Sequence, residues 1–193
     1  MPRVKLFKEE EVLHKAVELF WKKGYHATSI QDLVTFLGIN RASLYDTFGG
    51  KRSLFDKALT MYRKTNMERT RTFLHSHDQV KTGFRRLFEI VLDEAVCDSD
   101  KKGCFVVNAT TELVSVDKEI SEKLKDNQKT MENVFYEYLL SGVKTGEISD
   151  KKDLKTISSL IYTLMGGTQV IVKIASDKKK LQASIDMALS VLD

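Results

Sequence analysis

Proline is almost absent from this chain of 193 residues and occurs once, at position 2. Many-stranded sandwiches and barrels need proline and glycine for their tight turns, and the ten glycines of the chain are too few to supply them. Residues that favour helices, such as Leu, Lys, Glu and Ala, are abundant instead. The sequence therefore disfavours all-β and collagen-like folds and predicts an all-α protein.

Apolar residues recur at helical spacing along the chain and predict about nine helices. Between residues 9 and 23 the apolar positions are three or four residues apart, and the pattern stops at Gly24, a common left-handed terminator. Thr28 and Asn40 are candidate N-caps of the next two helices, which are short. The remaining predicted helices cover residues 51–64, 79–97, 103–115, 117–141, 151–174 and 178–192.

Positive charge is concentrated near one end of the chain. Residues 1–64 contain twelve Lys or Arg and seven Asp or Glu, whereas residues 65–193 contain nineteen and twenty. This asymmetry predicts two units, a small basic head at residues 1–64 and a nearly neutral helical body at residues 65–193. A basic head is suited to a polyanion, although a solvated surface can have the same composition.

The strongest motif is a helix-turn-helix at about residues 28–47. Two short helical patterns are joined by Leu37-Gly-Ile-Asn, a connection typical of this unit. In such units the second helix presents its N-terminal residues to base edges in the major groove. Arg41, Ala42 and Ser43 suit that position, because a guanidinium can bind guanine, a methyl group can meet thymine and a hydroxyl can contact base or phosphate. We therefore expect double-stranded DNA as a partner, and a backbone contact alone is the alternative for Arg41.

Residues 7–64 resemble the DNA-binding domain of the tetracycline-repressor-like (TetR/AcrR) family of transcriptional regulators. The matching residues keep the spacing of the family: Ala16, Phe20, Gly24-Tyr25, Thr28-Ser29-Ile30, Leu37-Gly38-Ile39, Ser43-Leu44-Tyr45, Phe48, Lys51 and Leu54-Phe55. The resemblance implies a three-helix domain in which Thr28, Tyr45 and Lys51 contact the phosphates that flank the recognition helix, with Ser29 in the same DNA-binding set. The alternatives are a core position for Tyr45 and an ordinary first-turn position for Lys51.

The body resembles the same family more weakly, in its helix order and in the segment Gly103-Cys-Phe-Val-Val-Asn-Ala. The resemblance implies a homodimer that forms through the last two helices, and a pocket for a small-molecule inducer that changes the separation of the two heads. The predicted interface residues are Leu160, Ile161, Leu164, Gly166, Gly167, Ile171, Leu181, Ile185 and Leu189. The predicted pocket residues, for which ordinary core packing is the alternative, are Phe88, Leu92, Cys104, Asn108, Thr111, Phe135, Tyr138 and Tyr162.

Two cysteines, Cys97 and Cys104, are too few for a disulfide framework, and the first residues lack the apolar core of a signal peptide. We therefore expect a cytoplasmic protein. The uncharged stretch 156–172 contains Ser, Thr, Gly and Gln, so we expect a buried helix there and no contact with a membrane. Cys104 follows a glycine near a predicted helix start, where the helix dipole would lower the pKa of its thiol.

No phosphate loop, dinucleotide-binding fingerprint, nucleophile elbow or metal-ligand cluster occurs in the sequence. We therefore expect no enzymatic activity, no cofactor and no metal. The sequence predicts a homodimeric repressor that a small molecule releases from a palindromic operator. Two alternatives remain: an α-helical thiol-redox sensor or enzyme that uses Cys97 and Cys104, and a helical interaction module that does not bind DNA.

Overall fold

The structure, a computed structural model, describes residues 7–174 and 177–193. Within these residues it contains nine α-helices, one 3-10 turn and no strand, which confirms the predicted all-α fold. The elements are α1 (Glu9–Lys23), α2 (Ile30–Leu37), α3 (Arg41–Phe48), α4 (Lys51–His75), α5 (Val80–Cys97), α6 (Phe105–Leu113), α7 (Lys118–Thr145), α8 (Leu154–Ile171), α9 (Lys178–Leu189) and the 3-10 turn Ser190–Leu192.

The helix-turn-helix consists of α2 and α3, which pack against each other and lie beside α1 and α4. Gly38 ends α2 in the left-handed conformation, with φ at 68°, and Asn40 caps α3 as predicted. The N-cap of α2 is Ser29 and not the predicted Thr28. The local signals for the turn were therefore correct except for this shift of one residue.

Helix α4 is continuous from the head into the body. It extends beyond residue 64, where the predicted helix ends, so the predicted boundary between head and body lies inside a helix. The first half of α4 packs on α1, and its second half lies against α5 and α7. One rigid element therefore belongs to both units.

Two apolar clusters fill the interior, and the first of them crosses the boundary between head and body. It combines residues of α1 to α4 with Phe105, Ala109 and Leu113 of α6 and with Ile120 of α7. The second cluster lies within the body, between α5, α7, α8 and α9. Because α6 contributes side chains to the core of the head, the position of the head on the body depends on α6.

Helix α8 packs along α7 and leaves its opposite side exposed. Of the helices in residues 7–174 and 177–193, none has the length and apolar character needed to cross a membrane. The uncharged stretch 156–172 lies in α8 and its C-cap, and its predicted burial is only partial within this chain, because the side that faces away from α7 is exposed.

Candidate DNA-binding surface and ligand cavity

Helix α2 begins at a capping box, which fixes the start of the helix-turn-helix. The Ser29 side chain accepts a hydrogen bond from the backbone N–H of Asp32 at 3.0 Å, and the Asp32 carboxylate accepts one from the N–H of Ser29 at 2.8 Å. Lys23 of α1 lies 2.7 Å from the same carboxylate. The Lys23 ammonium, together with Ser29, holds the pKa of Asp32 well below its usual range.

Thr28 needs a correction, because its side chain is wholly buried. Its hydroxyl donates a hydrogen bond to the carbonyl oxygen of Gly24 at 2.5 Å and so closes the turn between α1 and α2. A side chain with no exposed surface is unsuited to contact a phosphate. Its hydrogen bond instead fixes the backbone that precedes Ser29. Ser29 itself is exposed at the N-terminus of α2.

The N-terminus of α3 presents the residues that the motif predicts for base contacts. Arg41 and Ala42 are exposed, Ser43 is half-buried, and Leu44 is fully buried in the core of the head. Asn40 accepts a hydrogen bond from the N–H of Ser43 at 2.8 Å, which orients this first turn. Among the described residues Arg41 has no ion-pair partner, so its guanidinium is free to bind a ligand.

Tyr45 lies one turn beyond Arg41 on the same side of α3 and is 46% exposed, which excludes the alternative of a core position. Its ring lies against Gly50, where a Cβ atom would come within 3.1 Å of a ring carbon. Lys51 follows at the start of α4, with its ammonium 4.4 Å from the ring centroid of Tyr25. Partial burial lowers the pKa of Lys51.

The N-terminus of α4 has no side-chain cap, because its N-cap residue is Gly50. Among residues 7–174 and 177–193 no side chain caps its first N–H groups, which leaves them available to an external acceptor, and the helix dipole favours a negative charge at this end. Lys51 is the first residue of this helix, and the exposed side chain of Tyr45 lies against its N-cap residue. We call the exposed side of Ser29, Arg41, Tyr45 and Lys51 the candidate DNA-binding face; it has the chemistry of a phosphate-binding surface.

A cavity of about 310 Å³ lies in the body between α4, α5, α6, α7 and α8 and reaches Trp21 of α1. Three of the predicted pocket residues line it, namely Cys104, Phe135 and Tyr162. Asn108 and Thr111 instead border a separate, shallower depression, where the Lys173 ammonium lies 3.0 Å from the Asn108 side-chain oxygen. Only three of the eight predicted pocket residues therefore line the cavity.

The other three predicted pocket residues need correction. Phe88, Leu92 and Tyr138 are buried in the second apolar cluster and do not line the cavity. The Tyr138 hydroxyl lies 3.1 Å from the carbonyl oxygens of His77 and Gln79, so it has acceptors within the fold. Its ring packs over the backbone where α5 begins, and all three side chains serve packing.

Several cavity residues were missed because the predicted helix ended at residue 64. Beyond that point, the inward side of α4 contributes Thr65, Asn66, Arg69, Thr70 and Phe73 to the lining. These residues are spaced three or four apart, continuing from Tyr62, so helical periodicity in the polar residues was an available signal. Gln169 of α8 also lines the cavity and was missed.

Cys104 is the N-cap of α6, and its sulfur lies 3.9 Å from the Tyr62 hydroxyl oxygen. Burial raises the pKa of this thiol, whereas the helix dipole was predicted to lower it. Desolvation destabilises the thiolate more than the backbone N–H groups at the start of α6 stabilise it. Cys97 is exposed at the end of α5, and both cysteines are free thiols. The thiol-redox alternative therefore gains no support from the environment of Cys104.

Helix α6 connects the cavity with the head. Its N-terminal residues, including Val107, line the cavity, and Glu112 near its other end accepts hydrogen bonds from the backbone N–H groups of Tyr25 and His26 at 3.0 and 2.7 Å. Trp21 donates from its indole nitrogen to the carbonyl oxygen of Gly103, just before α6, at 2.9 Å. The head is thus hydrogen-bonded to residues at both ends of this helix.

The predicted dimer interface is only partly at the surface. Ile161, Ile185 and Leu189 are each 1% exposed and belong to the chain's own core, which corrects their assignment. Leu160, Ile171 and Gly167 are exposed, and Leu164, Gly166 and Leu181 are half-buried. The exposed apolar residues of α8, α9 and the segments that follow them also include Val170, Ile174, Met187 and Val191, which are not in the predicted interface. We call the exposed apolar residues of this region the α8/α9 face.

The fold and these sites together define a class of protein. A helix-turn-helix presents free polar residues at the start of its second helix, on a helical body with an internal cavity and an apolar outer face. This is the architecture of a DNA-binding protein with a regulatory body.

Comparison with known proteins agrees with this class and narrows it to a family. The model of the family described as "Bacterial regulatory proteins, tetR family" matches residues 12–58, and that described as "Tetracyclin repressor-like, C-terminal domain" matches residues 83–188. The transcriptional regulator YezE of Bacillus subtilis is 33% identical over 194 residues, covering 100% of both chains. The chain therefore belongs to the TetR family, whose members are DNA-binding transcriptional regulators and not enzymes.

Two further proteins extend the comparison. The transcriptional repressor ComR of Escherichia coli is 26% identical over 180 residues, which cover 93% of this chain and 86% of ComR. The structure of a cysteine-substituted CifR in complex with 26 bp operator DNA superimposes with a TM-score of 0.85 at 24% identity, and the match covers 99% of this chain and 100% of CifR. The latter likeness establishes the shared fold over both head and body.

The capping box predicts a specific dependence of stability on pH. Because the pKa of Asp32 is lowered by folding, its carboxylate stabilises the folded state above the unfolded pKa of about 4, and this contribution is lost as pH falls through the folded value. Asp32→Asn removes the contribution. The difference in unfolding free energy between parent and variant, from urea titrations, should be constant from pH 7 to about pH 5 and shrink below about pH 4. A difference that stays constant to pH 3 would contradict this assignment.

Proposed function

We propose that the chain acts in the cytoplasm as a homodimeric repressor, which a small molecule bound in the cavity releases from a palindromic operator. The observation that carries the proposal is the placement of α6, which lines the cavity near its first turn and holds the head through Glu112. A molecule that displaces α6 would disturb the hydrogen bonds that hold the backbone of Tyr25 and His26, shortly before α2 begins. ComR, which is similar to this chain, is named as a transcriptional repressor, and this supports repression of transcription as the effect of DNA binding.

On the DNA, α3 would lie in the major groove with Arg41, Ala42 and Ser43 toward the bases. Ser29, Tyr45, Lys51 and the open N–H groups at the start of α4 would bind phosphates on either side. Two heads related by a two-fold axis would read two half-sites, and this symmetry is the reason to expect a palindrome. Specificity would come from few side chains, and most of the affinity from the phosphate contacts.

Substitution of two basic residues should separate these two roles. Lys51→Met should weaken binding to all duplexes alike and reduce the slope of log affinity against log salt by about 1 for each half-site. Arg41→Met should relax the preference at one base-pair position in each half-site, at a cost of about 1–3 kcal/mol. Fluorescence anisotropy with an operator and a set of single-base variants, at several salt concentrations, measures both effects.

Lys129→Met serves as the control for that experiment, because Lys129 is an exposed cation on α7, in the body. It should leave both the salt slope and the base preference unchanged. Equal losses on every sequence for the Lys51 and Arg41 variants would show that Arg41 contacts only the backbone.

The α8/α9 face would form the dimer interface. Leu160 is 43% exposed and Met187 is 75% exposed, and water-exposed side chains of this size are suited to burial against a partner. A Cβ at the exposed Gly167 would meet no atom of another element within 4 Å, so the surface at this glycine is open to the close approach of a second helix. Gly166 also has open space beside it, but it lines the cavity.

A charge on this face should dissociate the dimer. Leu160→Glu and Met187→Glu would each place a carboxylate in the proposed interface, where its desolvation opposes association. Sedimentation velocity at micromolar concentration should detect monomers for these variants and dimers for the parent. Val116→Glu is the matched control, since Val116 is 71% exposed between α6 and α7. Variants that sediment like the parent would place the interface elsewhere.

The link through Glu112 predicts an effect on DNA binding from a residue that does not face DNA. Glu112→Gln removes the charge and leaves one side-chain oxygen for two N–H donors, which should lower the unfolding free energy by about 1–3 kcal/mol. Operator affinity should fall because the head is held less firmly, while the salt slope should stay unchanged because no phosphate contact is lost.

Glu122→Gln is the control for this variant, as Glu122 is exposed on α7 and its ion pair is with Lys125 of the same helix. It should behave as the parent in both urea titration and operator binding. An operator affinity of the Glu112 variant equal to that of the parent would remove the proposed link.

A further inference from the structure

The size of the cavity limits what it can hold. Its volume is about 310 Å³, roughly twice that of an apolar cavity of about 150 Å³ that encloses one benzene molecule. A ligand of roughly 10 to 15 non-hydrogen atoms would fill it. Larger molecules would have to extend through an opening in the cavity wall.

The charges around the cavity cancel. Among its described lining residues only Arg69 and Glu94 are charged, and they form an ion pair at 2.9 Å. Their side chains are 67% and 59% exposed, so the pair lies toward solvent. The interior therefore offers no unpaired charge to compensate an ionic ligand, and burying an ion without such a partner is strongly unfavourable.

One side of the cavity is polar and has unused hydrogen-bonding groups. Asn66 and Thr70 lie four residues apart on α4, and Gln169 lies on α8. In the part of the chain that the structure describes, none of these three side chains has a hydrogen-bond partner. Thr70 is only 9% exposed, but its hydroxyl is not fully enclosed, so it is accessible to a hydrogen-bonding group in the cavity that it lines.

The wall formed by α5, α6 and α7 is mostly apolar, with Ile90 and Val91 of α5, Val107 of α6, and Met131 and Phe135 of α7. Its polar members are already paired, Glu94 with Arg69 and Asn127 with Arg63 at 3.0 Å. A ligand that lies between this wall and the polar side must therefore have two unlike ends. The three polar side chains can each donate and accept, so they suit a group that also does both.

We propose that the cavity binds a neutral, compact amphipathic molecule, which presents a group such as a carboxamide to Asn66, Thr70 and Gln169 and packs an apolar part against α5, α6 and α7. This inference rests on the proposed ligand-responsive function and specifies the chemical class of the ligand. It sets the charge, the size and the polarity pattern of the molecule.

An organic cation is the main competing class, because Trp21, Tyr62 and Tyr162 are aromatic residues of the lining. The Trp21 ring, however, already has the Lys102 ammonium 5.3 Å from its centroid. A second cation beside this ring would be repelled by Lys102. Glu94, the lining carboxylate, is already paired with Arg69.

The test uses Trp21, which is the single tryptophan of the chain and lines the cavity. Its fluorescence in the full-length dimer is titrated with three probes of nearly equal shape: 4-phenylbutanamide, 4-phenylbutanoate and 4-phenylbutylammonium. We expect the neutral amide to change the fluorescence with a dissociation constant at least tenfold below that of either charged analogue. Trp21 reports binding without DNA, so the result does not depend on operator recognition.

Two variants test the polar side. Thr70→Val keeps the shape of the side chain and removes the hydroxyl, so it should weaken amide binding about five- to tenfold while leaving the urea midpoint of the free protein unchanged or higher. Thr72→Val, on the exposed side of the same helix, is the matched control and should bind the amide like the parent.

The proposal is overturned if a charged analogue binds as tightly as the amide, if none of the three probes changes the fluorescence, or if Thr70→Val binds the amide like the parent. Operator binding measured in parallel keeps the two levels apart. Failure of the ligand-free protein to bind operator would contradict the proposed function. The fluorescence titration would still decide whether the proposed ligand class is correct. Amide binding that leaves operator affinity unchanged would support the ligand class and contradict the proposed release.

Discussion

The carboxylate of Glu112 accepts two backbone N–H groups from the turn between α1 and α2 and so ties α6 of the body to the helix-turn-helix. It acts beside the continuous α4 and the ion pairs of Arg52 with Asp117 and Glu119. Those N–H groups belong to Tyr25 and His26, and the capping box of α2 begins three residues later. Charge-assisted hydrogen bonds of this kind are stronger than neutral ones and are directional. The orientation of the candidate DNA-binding face therefore depends in part on α6, together with α4 and the apolar cluster that head and body share.

The same helix explains how a ligand can act at a distance without a long pathway. Val107 lines the cavity, Glu112 lies five residues later, and Trp21 of the head borders the cavity directly. A ligand shifts an equilibrium only by the difference between its affinities for the two states. A molecule that fits the cavity better when α6 is displaced would favour a different head position, and the shared apolar core would transmit the change.

Much of the head could be predicted from sequence because its signals are local: Gly24 and Gly38 end helices, Asn40 caps one, and apolar spacing places Leu44 in the core. The contacts of the body were harder to predict, because periodicity identifies the apolar side of a helix but not the element that covers it. Ile161 and Ile185 were predicted to lie in the interface with a second subunit, but they are buried by helices of the same chain. The second half of α4 was missed because its inward side is polar where it borders the cavity.

Hydrogen exchange of the segment containing Tyr25 and His26, measured on the dimer with and without saturating 4-phenylbutanamide, tests the link through α6 most directly. The account predicts that binding speeds the exchange of these two amides, because displacement of α6 weakens their hydrogen bonds to Glu112, while the cavity-lining part of α4 becomes more protected. Unchanged exchange at Tyr25 and His26, together with clear protection of α4, would contradict the account.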